Sequence, residues 1–219
     1  MVLSLPDGLD FEVLRTRYAD HLATCTDILD QIPDAQRMRR RNAGFHHDSS
    51  AVAGLLKHAS GRTATPRLLE IGVWKAATLS YALKTAGRGA EAVGIDIFQF
   101  EHQQDEAQAI LDGFGLTKAA QIFARPSHRI PRPLVRTGRR FDVIHVDAGH
   151  GFEDAVRDIL VYSHFCVPGG WIVVDDYLDK EHSPDVRQAV DCVVEGWLLP
   201  SHNHGTVEGF SNYFFQLPA

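Results

Sequence analysis

Three aspartates that follow apolar segments are the residues of this sequence best suited to chemistry. Asp147 ends the segment 141–147, and Asp175 and Asp176 end the segment 169–176, 28 and 29 residues after Asp147. Because open parallel sheets bind ligands beyond the carboxyl ends of their strands, acids at these positions are expected to face a site. Carboxylates gathered there repel one another unless a cation lies between them. Hard divalent cations prefer oxygen ligands, so the first hypothesis is a divalent metal site.

The chain from Arg67 onward alternates short apolar segments with segments of helical period, which is typical of βαβ units and a parallel sheet. Strands are predicted at residues 67–72, 91–96, 119–124, 141–147 and 170–175. Helices are predicted between them at residues 75–86, 101–113, 129–137 and 152–164. The pattern therefore predicts an α/β fold, with a mostly parallel sheet and helices on both faces.

Both ends of the chain add elements to this predicted sheet. Residues 10–31 place apolar side chains at helical spacing, and a later helix is predicted to begin at Ser183, a suitable N-cap followed by a proline. Residues 197–202 and 212–217 are predicted strands, joined by the polar segment 204–211. Since no crossover helix separates them, we expect an antiparallel hairpin at the sheet edge, which gives seven strands.

A single domain is predicted for the whole chain of 219 residues, because this length suffices for a substantial core without disulfides. Residues 1–60 are expected to form a helical cap or lid, and residues 67–219 the core around the sheet. Residues 31–50 lack a clear period and contain His46 and His47. They are interpreted as a lid or, equally, as an ordinary surface connection.

The composition argues against several classes of function. The formal net charge of −6 disfavours a broad nucleic-acid footprint, although Arg37, Arg39, Arg40 and Arg41 form a local basic cluster. Such a cluster is more typical of a solvated helix end than of a phosphate site. The three cysteines are widely spaced, which disfavours disulfides and thiolate zinc sites and favours a reducing cytoplasm. No secretion signal or bilayer-spanning segment is recognised, so no membrane partner is expected.

The first predicted strand carries an acid and a glycine near its end, Glu70 and Gly72, and Asp96 closes the second strand. A glycine lets the backbone approach a ligand closely. An acid at the position of Asp96 can accept hydrogen bonds from both hydroxyls of a ribose. The dinucleotide fingerprint Gly-x-Gly-x-x-Gly is absent, which disfavours a nicotinamide cofactor.

The pairing of Glu70-x-Gly72 with Asp96 resembles the class I methyltransferases that depend on S-adenosylmethionine (SAM). Their first motif is Glu-x-Gly-x-x-x-Gly, and Ala76 replaces its second glycine in this sequence. We therefore expect the methionine end of SAM to bind in a slightly different position or less tightly. The resemblance implies a Rossmann-like fold and SAM as cofactor. It assigns cofactor contacts to Glu70, Gly72, Trp74, Thr78, Asp96, Ser127 and His128. The competing interpretations are a helix N-cap at Ser127 and simple burial of Trp74.

The three strand-end aspartates make the resemblance more specific. They lie in two motifs, Phe-Asp-x-Ile-His-x-Asp-x-x-His and Pro-Gly-Gly-x-x-x-x-Asp-Asp-Tyr. Both motifs are similar to segments of the metal-dependent O-methyltransferases of the catechol and macrocin types. The resemblance covers residues 67–177. It implies that Asp147, Asp175 and Asp176 hold Mg²⁺, which would bind two neighbouring substrate oxygens and lower the pKa of a hydroxyl. The competing interpretation is that Asp147 caps the following helix and the other two acids form a polar turn.

His150 is the predicted general base, since an imidazole is suited to take a hydroxyl proton near neutral pH. The alternative is a surface or capping histidine, and Asp147 could share or take over the role of base. His145 lies within a strand, where a core histidine with satisfied hydrogen bonds is expected. Tyr177, together with the segment around His46 and His47, is predicted to shape the acceptor pocket.

The predicted function is a Mg²⁺-dependent O-methyltransferase that acts on a small molecule with adjacent oxygens, such as a natural-product sugar or phenol. One alternative is a SAM-binding or scaffold protein without catalysis, to which Ala76 points. The other is a metal-dependent hydrolase or hydroxylase, although non-haem iron usually takes two histidines and one carboxylate. A homo-oligomer, dimer or larger, is expected from the N-terminal helix and the habits of the family.

Overall fold

The computed structural model describes residues 3–33, 36–38, 49–181, 183–201 and 203–219. Within these ranges the chain forms seven helices and seven strands. The helices are α1 (Phe11–Asp30), α2 (Ser50–Ala59), α3 (Ala77–Ala86), α4 (Gln103–Gly113), α5 (Arg132–Thr137), α6 (Phe152–Ser163) and α7 (Pro184–Glu195). The strands are β1 (Arg67–Ile71), β2 (Glu91–Asp96), β3 (Ala120–Ala124), β4 (Phe141–Val146), β5 (Cys166–Val174), β6 (Asn203–Thr206) and β7 (Tyr213–Gln216).

The strands form one sheet with the order β3-β2-β1-β4-β5-β7-β6. The five strands from β3 to β5 are parallel, whereas β7 pairs antiparallel with both β5 and β6. The prediction of a mostly parallel seven-stranded sheet with an antiparallel edge hairpin is therefore confirmed. The chain moves outward from β1 to β3 and returns to the other side of β1 with β4, which creates a crevice at the carboxyl ends of these strands.

Alternating side chains of the strands build one apolar layer on each face of the sheet. On the first face, Val143 of β4 joins a cluster with Leu55 of α2 and Leu79 of α3. On the second face, the neighbouring Ile144 joins a cluster with Ile159 of α6 and Val190 of α7. Helices therefore cover both faces, as predicted, and hold the strand ends in fixed positions.

The hairpin does not follow the predicted boundaries. The prediction of a strand at residues 197–202 was wrong, because the chain turns there after the end of α7. Trp197 adopts a left-handed backbone conformation with φ of 51°, and the amide of Leu198 donates to the carbonyl of Val193. The first hairpin strand is β6, which lies in the segment predicted as the connection, while β7 confirms the second predicted strand.

Two further boundaries differ from the prediction. Strand β5 begins at Cys166 rather than at residue 170, because the chain re-pairs with β4 across an irregularity in register. Helix α5 begins at Arg132 rather than at residue 129, after Pro131 at its N-cap position. Neither difference moves the carboxyl ends of the strands.

The N-terminal helix α1 packs on α3, the helix that follows β1. The hydroxyl of Tyr81 donates to the carbonyl of Leu14, and Nε2 of His21 lies 2.9 Å from the hydroxyl of Ser80. Burial lowers the pKa of His21 to about 4, so this imidazole is neutral at physiological pH and stacks on Phe114. These contacts tie α1 to the sheet core. No described helix has both the length and the apolar character that crossing a membrane requires.

Gly72 sets the distance between the ends of β1 and β4. Its φ is +90°, and a Cβ atom there would lie 1.7 Å from the carbonyl oxygen of Asp147. Gly87 has a similar φ of +87°, but a Cβ atom there would meet nothing within 4 Å. Both positions have a positive φ that strains an alanine, and Gly72 adds the clash with the backbone of Asp147.

We expect Gly72→Ala to lower the free energy of unfolding more than Gly87→Ala does. A backbone conformation of this kind costs an alanine on the order of 1–3 kcal/mol, and Gly87, with ψ of −160°, lies in a region that essentially only glycine adopts. The backbone clash at Gly72 adds at least about 2 kcal/mol, because packed backbone cannot yield cheaply. Urea denaturation of both variants measures the difference, and equal losses of stability would contradict this account of the strand junction.

Candidate active site

The three predicted metal ligands meet at the carboxyl ends of β4 and β5. The amide of Asp175 donates to the carbonyl of Val146, which keeps the two strand ends level. One carboxylate oxygen of Asp147, one of Asp176 and a ring nitrogen of His150 lie within 4.8 Å of one another. Asp147 also lies within the same distance of donor atoms of Asp175 and His145. The structure therefore brings the predicted acids and the predicted base into one cluster.

The charges in this cluster are not balanced. Burial raises the pKa of Asp147 well above its ordinary value, and the negative charges of Asp175, Asp176, Glu70 and Asp96 raise it further. Oδ2 of Asp175 is buried and has no hydrogen-bond partner among the described residues. Carboxylate oxygens that repel one another and lack donors fit a hard divalent cation such as Mg²⁺.

Side chains from later in the chain hold the two adjacent acids in place. Oδ1 of Asp175 accepts hydrogen bonds from the hydroxyl of Ser211 and from Nδ2 of Asn212, which is fully buried. The hydroxyl of Ser183 donates to Oδ2 of Asp176. Ser183 occupies the N-cap position of α7 as predicted, but its side chain makes no capping hydrogen bond. Sequence reasoning missed the role of these three residues, because each lies far from its partner along the chain or fits a simpler local pattern.

The two competing interpretations of the acids have different outcomes, because Asp175 and Asp176 do lie in a turn directly after β5. Helix α6 has Gly151 at its N-cap and no capping side chain, so the alternative in which Asp147 caps this helix is wrong. His150 is about half exposed, and its Nε2 lies 3.2 Å from Oδ2 of Asp176. The imidazole of His150 therefore reaches the acid cluster from the solvent side.

Glu70 and His145 form a buried pair on β1 and β4, where they are direct neighbours in register. Nδ1 of His145 lies 3.1 Å from Oε1 of Glu70, and both side chains are almost completely shielded from solvent. Burial raises the pKa of Glu70, while its hydrogen bond with His145 opposes this change. The expectation of a satisfied core histidine is correct for Nδ1 only, because Nε2 has no partner among the described residues. The contact of Glu70 with SAM stays a prediction.

A cavity of about 340 Å³ opens beside the acid cluster, at the ends of β1, β2 and β3. Four of the predicted cofactor residues line it: Gly72, Asp96, Ser127 and His128. Sequence reasoning missed Gln103 and Arg157, which also line it. No local motif marks these two residues, since they lie on helices whose orientation depends on the sheet. The cavity and the acid cluster share the rim formed by Gly72 and the residues after Asp147.

The loop after β1 is held by acids from neighbouring elements. Oδ2 of Asp96 accepts hydrogen bonds of 2.8 Å from the amides of Val73 and Trp74. Lys75, in the same loop, forms a buried ion pair of 2.9 Å with Glu106 of α4. Asp96 thus shapes the loop as well as lining the cavity, and its contact with a ribose stays a prediction.

Three predicted cofactor residues lie outside the lining of this cavity: Glu70, described above, Trp74 and Thr78. Trp74 is partly buried and packs its ring edge-on against Phe100, and the hydroxyl of Thr78 lies 3.2 Å from that of Tyr18. Ala76, at the position of the second motif glycine, has a left-handed φ of 62°. An alanine there bears backbone strain of about 1–2 kcal/mol that a glycine would avoid.

The segment after β3 is supported by α6. The hydroxyl of Tyr162 donates to the carbonyl of Ser127, and the buried carboxylate of Asp158 lies beside the Ser127 hydroxyl. Burial raises the pKa of Asp158, and the contact with Ser127 opposes this change. The alternative of a helix N-cap at Ser127 is wrong, because α5 begins only at Arg132. Asp158 could have been noticed from the sequence, since it lies on the apolar face of its helix.

Tyr177 makes its contacts away from the acid cluster. The hydroxyl of Tyr177 donates to Asp191, and its ring packs against Tyr213. His46 and His47 lie outside the described residues, as do Arg39, Arg40 and Arg41. Arg37 donates to the carbonyl of Leu29, in the last turn of α1, and to that of Ile32, just beyond the helix, as expected for a basic residue at a helix end.

Comparison with known proteins assigns this fold and site to a family. The family described as "Methyltransferase domain" matches residues 69–177, which include the strands that carry both the cavity and the acids. Residues 69–177 therefore form a methyltransferase domain. A shorter match, 36% identical over 53 residues and covering 24% of each protein, relates it to the uncharacterized protein R132 of Acanthamoeba polyphaga mimivirus.

Solved structures share the whole fold of this methyltransferase. Cofactor-bound Rv0187 from MTB is 18% identical, with a TM-score of 0.65 over 98% of both chains. The O-methyltransferase from Bacillus cereus in complex with SAH is 12% identical, with a TM-score of 0.65 over 94% of this chain and 97% of that one. TomG from Streptomyces achromogenes, in complex with SAM, is 16% identical, with a TM-score of 0.61 over 94% and 98%. The chain therefore has the fold that these O-methyltransferase structures share.

We expect Asp147→Asn to stabilise the metal-free methyltransferase at neutral pH. The pKa of Asp147 is raised in the folded state, so its favourable contribution is present at low pH and is lost as the pH rises from its ordinary value of 3.8 through the folded pKa. Asparagine cannot ionise and avoids this loss. Thermal unfolding in the presence of a chelator, at several pH values between about 4 and 8, measures the difference.

Asp112→Asn is a control for which we expect the opposite change in stability at neutral pH. Hydrogen bonds from Thr117 and Gln108 lower the pKa of Asp112, so its ionised form is stabilising and the variant should lose stability towards neutral pH. A metal-free Asp147→Asn variant that is less stable than the wild type at neutral pH would refute the repulsion argued for the acid cluster.

Proposed function

We propose that this methyltransferase transfers the methyl group of SAM to a hydroxyl oxygen of a small molecule that offers two neighbouring oxygens to a divalent cation, Mg²⁺ in the first instance. The observation that carries the proposal is the convergence of Asp147, Asp175 and Asp176 at the rim of the cavity that holds Asp96. In this proposal the cavity would bind SAM, the methyl donor, and the acid cluster beside it would bind and activate the acceptor.

The chain's own residues supply most of the proposed mechanism. Asp147, Asp175 and Asp176 would hold Mg²⁺, which lowers the pKa of a hydroxyl that it binds and orients the acceptor. His150, on the solvent side of the cluster, takes the hydroxyl proton on its imidazole. Nε2 of His150 lies 3.2 Å from Oδ2 of Asp176. Asp147 is the second candidate for this proton.

The transfer itself is a displacement at the methyl carbon. The acceptor oxygen forms a bond to the methyl carbon while the bond between that carbon and the sulfonium sulfur breaks, and the electron pair goes to sulfur. Because the reactive methyl belongs to the cofactor, the protein accelerates the step mainly by positioning and electrostatics. The cavity walls that include Gly72 and Asp96 would fix the donor, and the acid cluster would fix the acceptor.

The acceptor class rests on similarity in fold. TomG is described as involved in tomaymycin synthesis, and CalS11, which is 14% identical with a TM-score of 0.60, is described as a TDP-rhamnose 3'-O-methyltransferase in calicheamicin biosynthesis. We extend this to a sugar or phenol of a natural product as the acceptor of the present protein. A homo-oligomer is part of the same proposal, by analogy with the family.

Calorimetric titrations of SAM and of Mg²⁺ test the two halves of the site separately. We expect Asp96→Asn to weaken SAM binding at least about tenfold, because a carboxylate that shapes and lines the cavity is lost. Asp175→Asn should weaken Mg²⁺ binding at least about tenfold and leave SAM binding nearly unchanged. Asp185→Asn, the same chemical change at an exposed site in α7, is the matched control.

Each result decides between the proposed function and its alternatives. A wild-type protein that binds SAM but no divalent cation would favour a SAM-binding protein without metal chemistry. A protein that binds Mg²⁺ but not SAM would favour a metal-dependent hydrolase. Only binding of both ligands, with the two variants affected as described, supports the proposed O-methyltransferase.

The role of His150 is tested by turnover. We expect His150→Asn to lower kcat by about 10²-fold or more, with the affinity for SAM unchanged, because only proton removal is impaired. His164→Asn, at the exposed end of α6, is the matched control. Mass spectrometry of methylated products from a panel of catechols and nucleotide sugars gives the rates, and an unchanged kcat in His150→Asn would assign the proton to another group.

A further inference from the structure

His145 lies directly below the acid cluster, inside the sheet. Side chains two residues apart along a strand point to the same face of the sheet. Val143, His145 and Asp147 have this spacing along β4 and the residue after it, so His145 and Asp147 point to the same face. Val143 and Val173 belong to the apolar layer on that face, and Asp175 follows Val173 at the same spacing. His145 is paired in register with Val173 of β5. The imidazole is therefore the next polar group beneath the carboxylates.

The two ring nitrogens of His145 have different surroundings. Nδ1 lies 3.1 Å from the carboxylate of Glu70, which fixes the orientation of the ring. Nε2 is completely buried and has no hydrogen-bond partner among the described residues. A buried nitrogen without a partner costs about 1–3 kcal/mol, so a native site normally provides one.

A second buried atom of the cluster is in the same situation. Oδ2 of Asp175 also lacks a hydrogen-bond partner among the described residues, although Oδ1 of the same carboxylate accepts three hydrogen bonds. A ring nitrogen of His145 and one oxygen each from Asp147 and Asp175 lie within 4.8 Å of one another. A single cation between them would satisfy both unpartnered atoms and offset the repulsion between the acids.

We propose that Nε2 of His145 is a direct ligand of the metal, together with Asp147 and Asp175, and that the site therefore prefers a first-row transition metal of the Mn²⁺ class to Mg²⁺. The inference rests on the proposed function, since it concerns the same cation. Imidazole nitrogen suits transition metals, whereas an all-oxygen set suits Mg²⁺. Metal-binding histidines usually give their second nitrogen to a carboxylate, which is the arrangement of His145 with Glu70.

The competing arrangement is a histidine that carries the positive charge itself. In that case both nitrogens of His145 hold protons, Nδ1 faces Glu70, and Nε2 faces the carboxylates above it without touching a metal. The two arrangements differ in one observable: only the proposed one places a nitrogen in direct contact with the bound ion.

Pulsed electron paramagnetic resonance of the Mn²⁺-loaded protein tests this contact. A directly bound imidazole gives the electron spin a ¹⁴N coupling, and His150 is the other imidazole of the described residues that reaches the cluster. We expect the ¹⁴N coupling to persist in His150→Asn and to be absent when His145→Asn is added. Absence of the coupling in His150→Asn, with Mn²⁺ bound, would overturn the inference and leave the proposed function intact.

Metal titrations give a second, independent readout. In His145→Asn, the asparagine amide retains a donor near the position of Nδ1 for Glu70 and removes Nε2. We expect the affinity for Mn²⁺ to fall on the order of tenfold or more, and the affinity for Mg²⁺ to fall less, so that the preference for Mn²⁺ declines. Equal losses for both ions would count against a nitrogen ligand. Wild-type protein that binds neither ion would overturn the proposed function and the inference together.

Discussion

The mutual repulsion of buried carboxylates is the constraint on which the site depends. Asp147, Asp175, Asp176 and Glu70 converge in a region from which much of the water is excluded, and the raised pKa of Asp147 is the direct consequence. Such an arrangement lowers the stability of the fold unless a proton or a cation compensates it. The apolar layers on both faces of the sheet and the hydrogen bonds to Asp175 keep the acids together despite this cost.

The position of the site follows from the order of the strands. Because the chain leaves β1 in one direction and returns beside it with β4, the loops after these strands diverge and leave a crevice. Gly72 allows the end of β1 to touch the backbone of Asp147, so the cavity and the acid cluster share one wall. In the proposed function, that close contact would hold a methyl donor and an acceptor within bonding reach of each other.

The sequence predicted the parts of the fold and site that depend on local pattern. Alternating apolar segments identified the five parallel strands, and acids at strand ends identified Asp96, Asp147, Asp175 and Asp176. The hairpin boundary was wrong because the segment 197–202 begins with apolar residues that look like a strand, whereas residues 197 and 198 form a turn at the end of α7. Ser211, Asn212 and Gln103 could not be predicted, since their roles arise from contacts between distant elements that no local spacing encodes.

The C-terminal hairpin is part of the site although it lies outside the segment that defines the family. The family match ends at Tyr177, whereas Ser211 and Asn212, just before β7, hold one oxygen of Asp175. By occupying Oδ1, these donors leave Oδ2 as the oxygen that faces the cluster. The residues just before the antiparallel strand β7 therefore determine which oxygen of Asp175 is available to a cation. A methyltransferase core shared with many relatives can thus acquire its own metal geometry from the elements added after it.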